Sequence, residues 1–230
     1  MDKTINYTTN TVRVTTQSEL DSALKDRALS KKKRLNDIII EIDGGTKDAP
    51  IEINNAYGIR IIKQSYVKIL GCSRVEIFGE TTANVYGTSK IAAYKSAIVY
   101  AHGSCEIKAH DSTLIYAYDN ATVNAKDNSL VKAYTTKGYI SIHDKAKAKA
   151  YNSSHITAFD DASVDAYDTS EIKAYGATVN AYERSHVQAY SGATVNAYDI
   201  SLVTDNNIQG TTTSKNTINR LSEGCVVTTK

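Results

Sequence analysis

The chain is 230 residues long, with 27 basic and 25 acidic side chains and a formal net charge of +2. That near-balance removes a general electrostatic case for nucleic acid, and no apolar span is long enough for a membrane-crossing helix. The three cysteines, Cys72, Cys105 and Cys225, match neither a disulfide framework nor a zinc-ligand spacing, and no secretory leader is read. A reducing cytoplasm is therefore expected, the host's if a phage encodes the chain, with a virion or another secretion route left open.

In chain order, Thr11-Val12-Arg13-Val14 reads as a strand. Ser18 to Lys25 reads as a capped amphipathic helix extending towards Leu29. Lys31-Lys32-Lys33-Arg34 beside it reads as a solvated loop, and Asp37 to Ile42 as a strand stopped by Gly44-Gly45. Residues 1–50 are thus expected to form a strand–helix–strand cap over the exposed end of a downstream sheet.

From about Ile51 to Val203 one eight-residue phrase recurs roughly twenty times. Its plainest copies are Ala177-Thr178-Val179-Asn180-Ala181-Tyr182 and Ala193-Thr194-Val195-Asn196-Ala197-Tyr198. A unit this short cannot bury a core alone, so neighbouring copies must stack. Lettering the slots a to h from the β-branched residue, slot a holds Val or Ile, slot c is mostly Ala, and slot g is small. These alternate with slots h, b and d, which are polar or tyrosine, and period-two alternation is a strand with one buried face. Slots e and f carry Asp, Asn or Gly, as in Asp119-Asn120, Asp127-Asn128 and Gly103, which bend a chain at low cost. Each unit is one strand and one corner. The extra residue in Thr136 to Tyr139 and the missing slot f at Gly176-Ala177 both fall at corners, where an indel leaves the core facing inward.

The fold class implied is all-β: a single-stranded parallel β-helix, or β-solenoid, over residues 51–205. Two units per coil, sixteen residues, are favoured over three because the inward residues are small and Ile98, Leu114 and Leu130 recur at sixteen-residue steps. The early rungs, with Ile59/Ile61 and Val75/Ile77, predict a core that begins wide and narrows. Residues 206–230, from which the pattern fades, are expected to be a C-terminal cap or partner strand.

Stacked coils turn the surface into columns. Slot d predicts one aromatic ladder through Tyr86, His102, Tyr118, Tyr134, Tyr151, Tyr167, Tyr182 and Tyr198. A second runs through Phe78, Tyr94, His110, Lys126, His143, Phe159, Tyr175 and Tyr190. Stacked rings can stabilise the rungs or present an aromatic strip to a glycan or protein. Slot e aligns Asp111, Asp127, Asp144 and Asp160, each capping its own turn or sharing a cation. Slot h aligns His155, Glu171 and His186, weak candidates for a transition-metal site in a chain for which no metal or other cofactor is expected. Lys145, Lys147 and Lys149 alternate on one face and keep it soluble. Ile98, Tyr100, Leu114, Tyr116 and Leu130 form an outward apolar patch that calls for cover, by the chain's own termini or by another subunit. No nucleophile motif, phosphate-cradling glycine loop or paired carboxylate cleft is found, so no enzymatic activity is expected.

The phrase Ala-Tyr-Asp/Gly-x-Ala/Ser-x-Val-x-Ala-Tyr resembles octapeptide arrays of uncharacterised bacterial and phage proteins. It is more distantly similar to the sixteen-residue repeats of ice-nucleation proteins. Those carry ordered Thr-x-Thr rows; here Thr178/Asn180 and Thr194/Asn196 match, with Ser163/Asp165 an imperfect third rung, too few for an ice template. The N-terminal strand and helix look like the caps of pectate-lyase-type β-helices. Related lyases and hydrolases build their sites on long corner insertions, which the corners from Gly71 to Ile200 lack. The expectation is a non-enzymatic interaction or scaffold protein that binds a protein partner or itself. It could be a particle component or an inhibitor of a host protein, plausible for a phage or mobile element, with glycan or ice binding as alternatives.

Overall fold

A computed structural model describes residues 11–31, 39–134, 137–206, 216–221 and 223–229. Lys32 to Arg34, Asp37, Ile38, Thr136 and Thr211 to Ser214 lie outside them. The described residues hold twenty-four strands and one helix, in sheets of thirteen and eleven strands. All pairing is parallel and, from the strand Ile39–Ile42 onward, each strand pairs with the strand two places along the chain: Glu106 lies beside Thr122 and Leu114 beside Leu130. The offset is sixteen residues, so one coil is two strands and two corners, and the molecule is a β-solenoid.

The core follows from slots g, a and c. Ile107, Ala109, Val123 and Ala125 on one sheet, and Ile115, Ala117, Val131 and Ala133 on the other, are all at most 2% exposed. Small side chains let the two sheets approach closely along most of the coils. The wider rungs sit at the N-terminal end, where Ile53, Ile59, Ile61, Ile69 and Ile77 are fully buried. Ile140 and Ile142 widen the core again at the coil carrying the extra residue. There the backbone compensates: a Cβ on Gly138 would stand 2.0 Å from the Ala121 carbonyl oxygen, a contact only glycine avoids.

The corners explain why slot e is mostly Asp, Asn or Gly. From Asn55 to Asp199 the described slot e residues have positive φ, for example 57° at Asp111 and 75° at Gly103. This left-handed region is the one glycine, asparagine and aspartate tolerate best. Slot f then hydrogen-bonds to the coil before it, as the Asn120 N–H does to the Gly103 carbonyl at 2.9 Å and the Asn128 N–H to Asp111 at 2.8 Å.

At the N-terminus, the strands Thr11–Val14 and Ile39–Ile42 are themselves rungs of the thirteen-strand sheet, with Val12 beside Ile40 and Ile40 beside Ile59. The helix runs Gln17–Lys31, past the expected end near Leu29. Its cap is Thr16, not Ser18: the Glu19 N–H donates to Thr16 Oγ1, while Glu19 Oε2 accepts the N–H groups of Thr15 and Thr16. Leu20 and Ala23 are buried against the core and Leu24 partly so. At the other end, Thr217–Arg220 lies beside Thr194–Ala197 and Val226–Thr229 beside Leu202–Asp205, adding one rung to each sheet. No helix among the described residues is long and apolar enough to cross a membrane.

Candidate functional site

The parallel register converts slot d into two edges of stacked rings. Along the edge that follows the eleven-strand sheet, eight rings from Tyr86 to Tyr198 stack without a break. His102 and Tyr118 have centroids 4.7 Å apart and planes 3° apart; Tyr134, Tyr151, Tyr167, Tyr182 and Tyr198 continue at 4.7–5.2 Å. Each ring inside the ladder therefore has a neighbour against both faces and offers solvent its rim. Partial burial raises the pKa of the Tyr118, Tyr167 and Tyr182 hydroxyls. The second ladder is interrupted at Lys126, with Phe78, Tyr94 and His110 stacked before it and His143, Phe159, Tyr175 and Tyr190 after it.

Beside the unbroken ladder, on the outer face of the eleven-strand sheet, the strands Ile98–Ala101, Leu114–Ala117 and Leu130–Tyr134 align Ile98, Leu114 and Leu130 in one column. Tyr100 and Tyr116 stack in the next column at 4.7 Å, and Lys132 caps them with its ammonium 5.0 Å from the Tyr116 ring. All six side chains are half-buried. A hydrogen bond to Tyr116 and the electrostatic pull of that residue raise the Lys132 pKa. The apolar pattern alone does not pick out Lys132; its sixteen-residue step from Tyr116 is the signal that places it there. The described C-terminal strands, Thr217–Arg220 and Val226–Thr229, stack on the last rungs of the two sheets, away from this patch.

Of the aligned slot e carboxylates, Asp111, Asp127 and Asp144 resolve as turn caps reaching between coils, while Asp160 faces the His143 ring. Asp111 Oδ2 accepts the Lys95 N–H at 2.8 Å, Asp127 accepts that of Asp111 at 3.0 Å, and Asp144 that of Asp127 at 3.3 Å. The opposite edge repeats the device with Asp119, Asp168, Glu183 and Asp199. Asp168, Glu183 and Asp199, with Arg184, line only a shallow groove of about 440 Å³.

His155, Glu171 and His186 do align in register. They do not converge: His155 Nε2 lies 3.2 Å from Glu171 Oε2, whereas His186 Nε2 turns to Thr204 Oγ1 at 3.1 Å. Among the described residues no three His, Cys, Asp or Glu side chains cluster as metal ligands.

Two arrangements escaped the sequence. Ser141 Oγ is 2.6 Å from His143 Nε2, and His143 Nδ1 is 3.9 Å from Asp160 Oδ2. The order is that of a hydrolytic triad, but Ser141 is 4% exposed and the carboxylate stands beyond hydrogen-bond distance. The imidazole here satisfies a covered hydroxyl. Secondly, Thr217/Asn219 adds a Thr-x-Asn rung, and the amides of Asn180, Asn196 and Asn219 form a hydrogen-bonded ladder from Asp165. Of the cysteines, Cys105 is buried, and desolvation pushes its thiol up to about 11, which makes it a packing group.

Comparison with protein-family models, curated proteins and solved structures returns no match.

Proposed function

We propose that this chain is a non-enzymatic interaction or scaffold protein whose rigid outer face binds a protein partner or a further copy of itself. The observation that carries the reading is the half-buried column Ile98, Leu114, Leu130 beside the stacked Tyr100 and Tyr116. Three apolar rungs in register on a flat sheet, flanked by tyrosine hydroxyls and lysines, combine an apolar centre with a polar rim, as protein interfaces do. A rod whose corners are hydrogen-bonded coil to coil presents that face with little ordering cost. Such a face suits a particle component or an inhibitor that docks on a host protein, the setting that the octapeptide resemblance suggests.

Glycan binding is the less favoured reading. Sugars stack on ring faces, and within the unbroken ladder those faces are taken by neighbouring rings. Ice binding fares no better, since the Thr-x-Asn rungs hold their amides in a mutual hydrogen-bond ladder. The deciding experiment is capture from host lysate, with mass measured by light scattering, for the native chain and Leu114→Lys. Loss of partner or oligomer in a folded Leu114→Lys variant is expected. Capture and mass identical in both would sink the patch as the binding face, and a glycan array would then be the next screen.

A further inference from the structure

We infer that the apolar face pairs with a second copy of this chain, face to face and antiparallel, about a two-fold axis running along the strand direction at the Leu114 rung. The inference rests on the reading of this face as a binding surface and adds the partner and its register.

On the outer face of the eleven-strand sheet, slot h runs Tyr66, Thr82, Ile98, Leu114, Leu130, Lys147, Ser163. Slot b runs Lys68, Asn84, Tyr100, Tyr116, Lys132, Lys149, Asp165 in the same rungs. A two-fold axis along the strands keeps each column facing itself and reverses the order of rungs. Leu114 and Tyr116 then meet their own copies, and Ile98 meets Leu130. Tyr100 meets Lys132, repeating between copies the cation–ring contact that Lys132 already makes with Tyr116. Two rungs out, Lys147 and Lys149 face the uncharged Thr82 and Asn84. Three rungs out, Lys68 faces Asp165.

Lys68 already holds Glu52 at 2.8 Å, and an ammonium has three donors, so Asp165 completes rather than displaces that pair. The pairing contains no like-charge contact.

The neighbouring registers are worse. Sliding one rung towards the C-terminus sets Ile98 against Lys147 and loses the Lys68–Asp165 pair. Sliding one rung the other way sets Lys68 against Lys149. A parallel pair, with the axis along the rod, places Lys147 and Lys149 of one copy against the same two lysines of the other. Like charges across an interface weigh against a register, so both the orientation and the height are set. Seven rungs spaced by ~4.8 Å and one strand width give a footprint of about 30 by 15 Å per copy, approaching the ~1,000 Å² total of a specific but weak contact.

The test uses the full chain with Cys72→Ser, nitroxide-labelled at a single introduced cysteine, either Asn120→Cys or Ile200→Cys. Both positions are exposed corner residues on the same edge, five coils apart. Sedimentation is expected to give a concentration-dependent dimer, weakened roughly a hundredfold by Leu114→Lys. Pulsed spin–spin distances are expected to be short for the label at 120 and longer by several tens of ångströms at 200. Equal distances at the two sites would mean a parallel pair and overturn the register while leaving the surface in place. A monomer at every concentration would overturn self-pairing; the broader reading then stands only if the native chain captures a host protein that Leu114→Lys does not. Dimers indifferent to Leu114→Lys would remove the face itself.

Discussion

An aspartate at slot e serves two coils at once. Its backbone takes the left-handed turn of its own corner, and its carboxylate accepts the N–H of the corner one coil before. Asp127→Gly keeps the turn and loses only the acceptor, whereas Asp127→Ala loses both. We expect about 1 kcal/mol of destabilisation for glycine and roughly 2 for alanine, read as an ordered pair of melting temperatures. Glu19 is another residue whose charge has structural work. Hydrogen bonds from the Thr15 N–H and hydroxyl, then from Thr16, hold its pKa below the ordinary 4.5. A carboxylate lowered on folding stabilises fully above its unfolded value, and that contribution fades as pH falls through the folded one. Amide protection in the first helical turn should therefore drop on acidification below about pH 4.5, and Glu19→Gln should show weaker protection without that step.

At the scale of strands and ladders, stability comes from repetition. Tyr134 stacks on both Tyr118 and Tyr151, so Tyr134→Ala removes two ring contacts, about 1–3 kcal/mol, while Tyr134→Phe keeps them and should be near neutral. Chemical denaturation of the two variants checks this. These columns were legible in the sequence because the eight-residue period assigns slot d, and two units per coil, read from the small inward residues and the sixteen-residue step of Ile98, Leu114 and Leu130, then set Tyr134 beside Tyr151. What escaped lay where the period breaks. Thr217/Asn219 comes after residues 207–215, so counting in eights from Asn196 does not reach it. The helix cap moved to Thr16 because Thr-x-x-Glu competes with Ser18 for the same turn, and only the contact with Glu19 decides between them. The contact between Ser141 and His143 depends on side-chain rotamers, which period cannot supply.

For the whole molecule, each coil touches mainly the coil before and the coil after, so length is quantised. Removing Ser153 to Asp168, one whole sixteen-residue coil, joins the slot e residue Asn152 to the slot f residue Thr169 and leaves both sheets in register. Small-angle scattering should find a folded rod shorter by ~4.8 Å. Removing only Lys145 to Asn152, eight residues, should also fold, because every unit buries the same slots. Everything downstream would then change sides, carrying Asp165 away from Lys68's face and threading the tyrosine ladder onto the opposite edge. Such a chain can gain or lose copies of its unit without losing its fold, but only even numbers of them preserve what each side displays. Its ancestry, if it grew by duplication, would have been constrained to count in pairs.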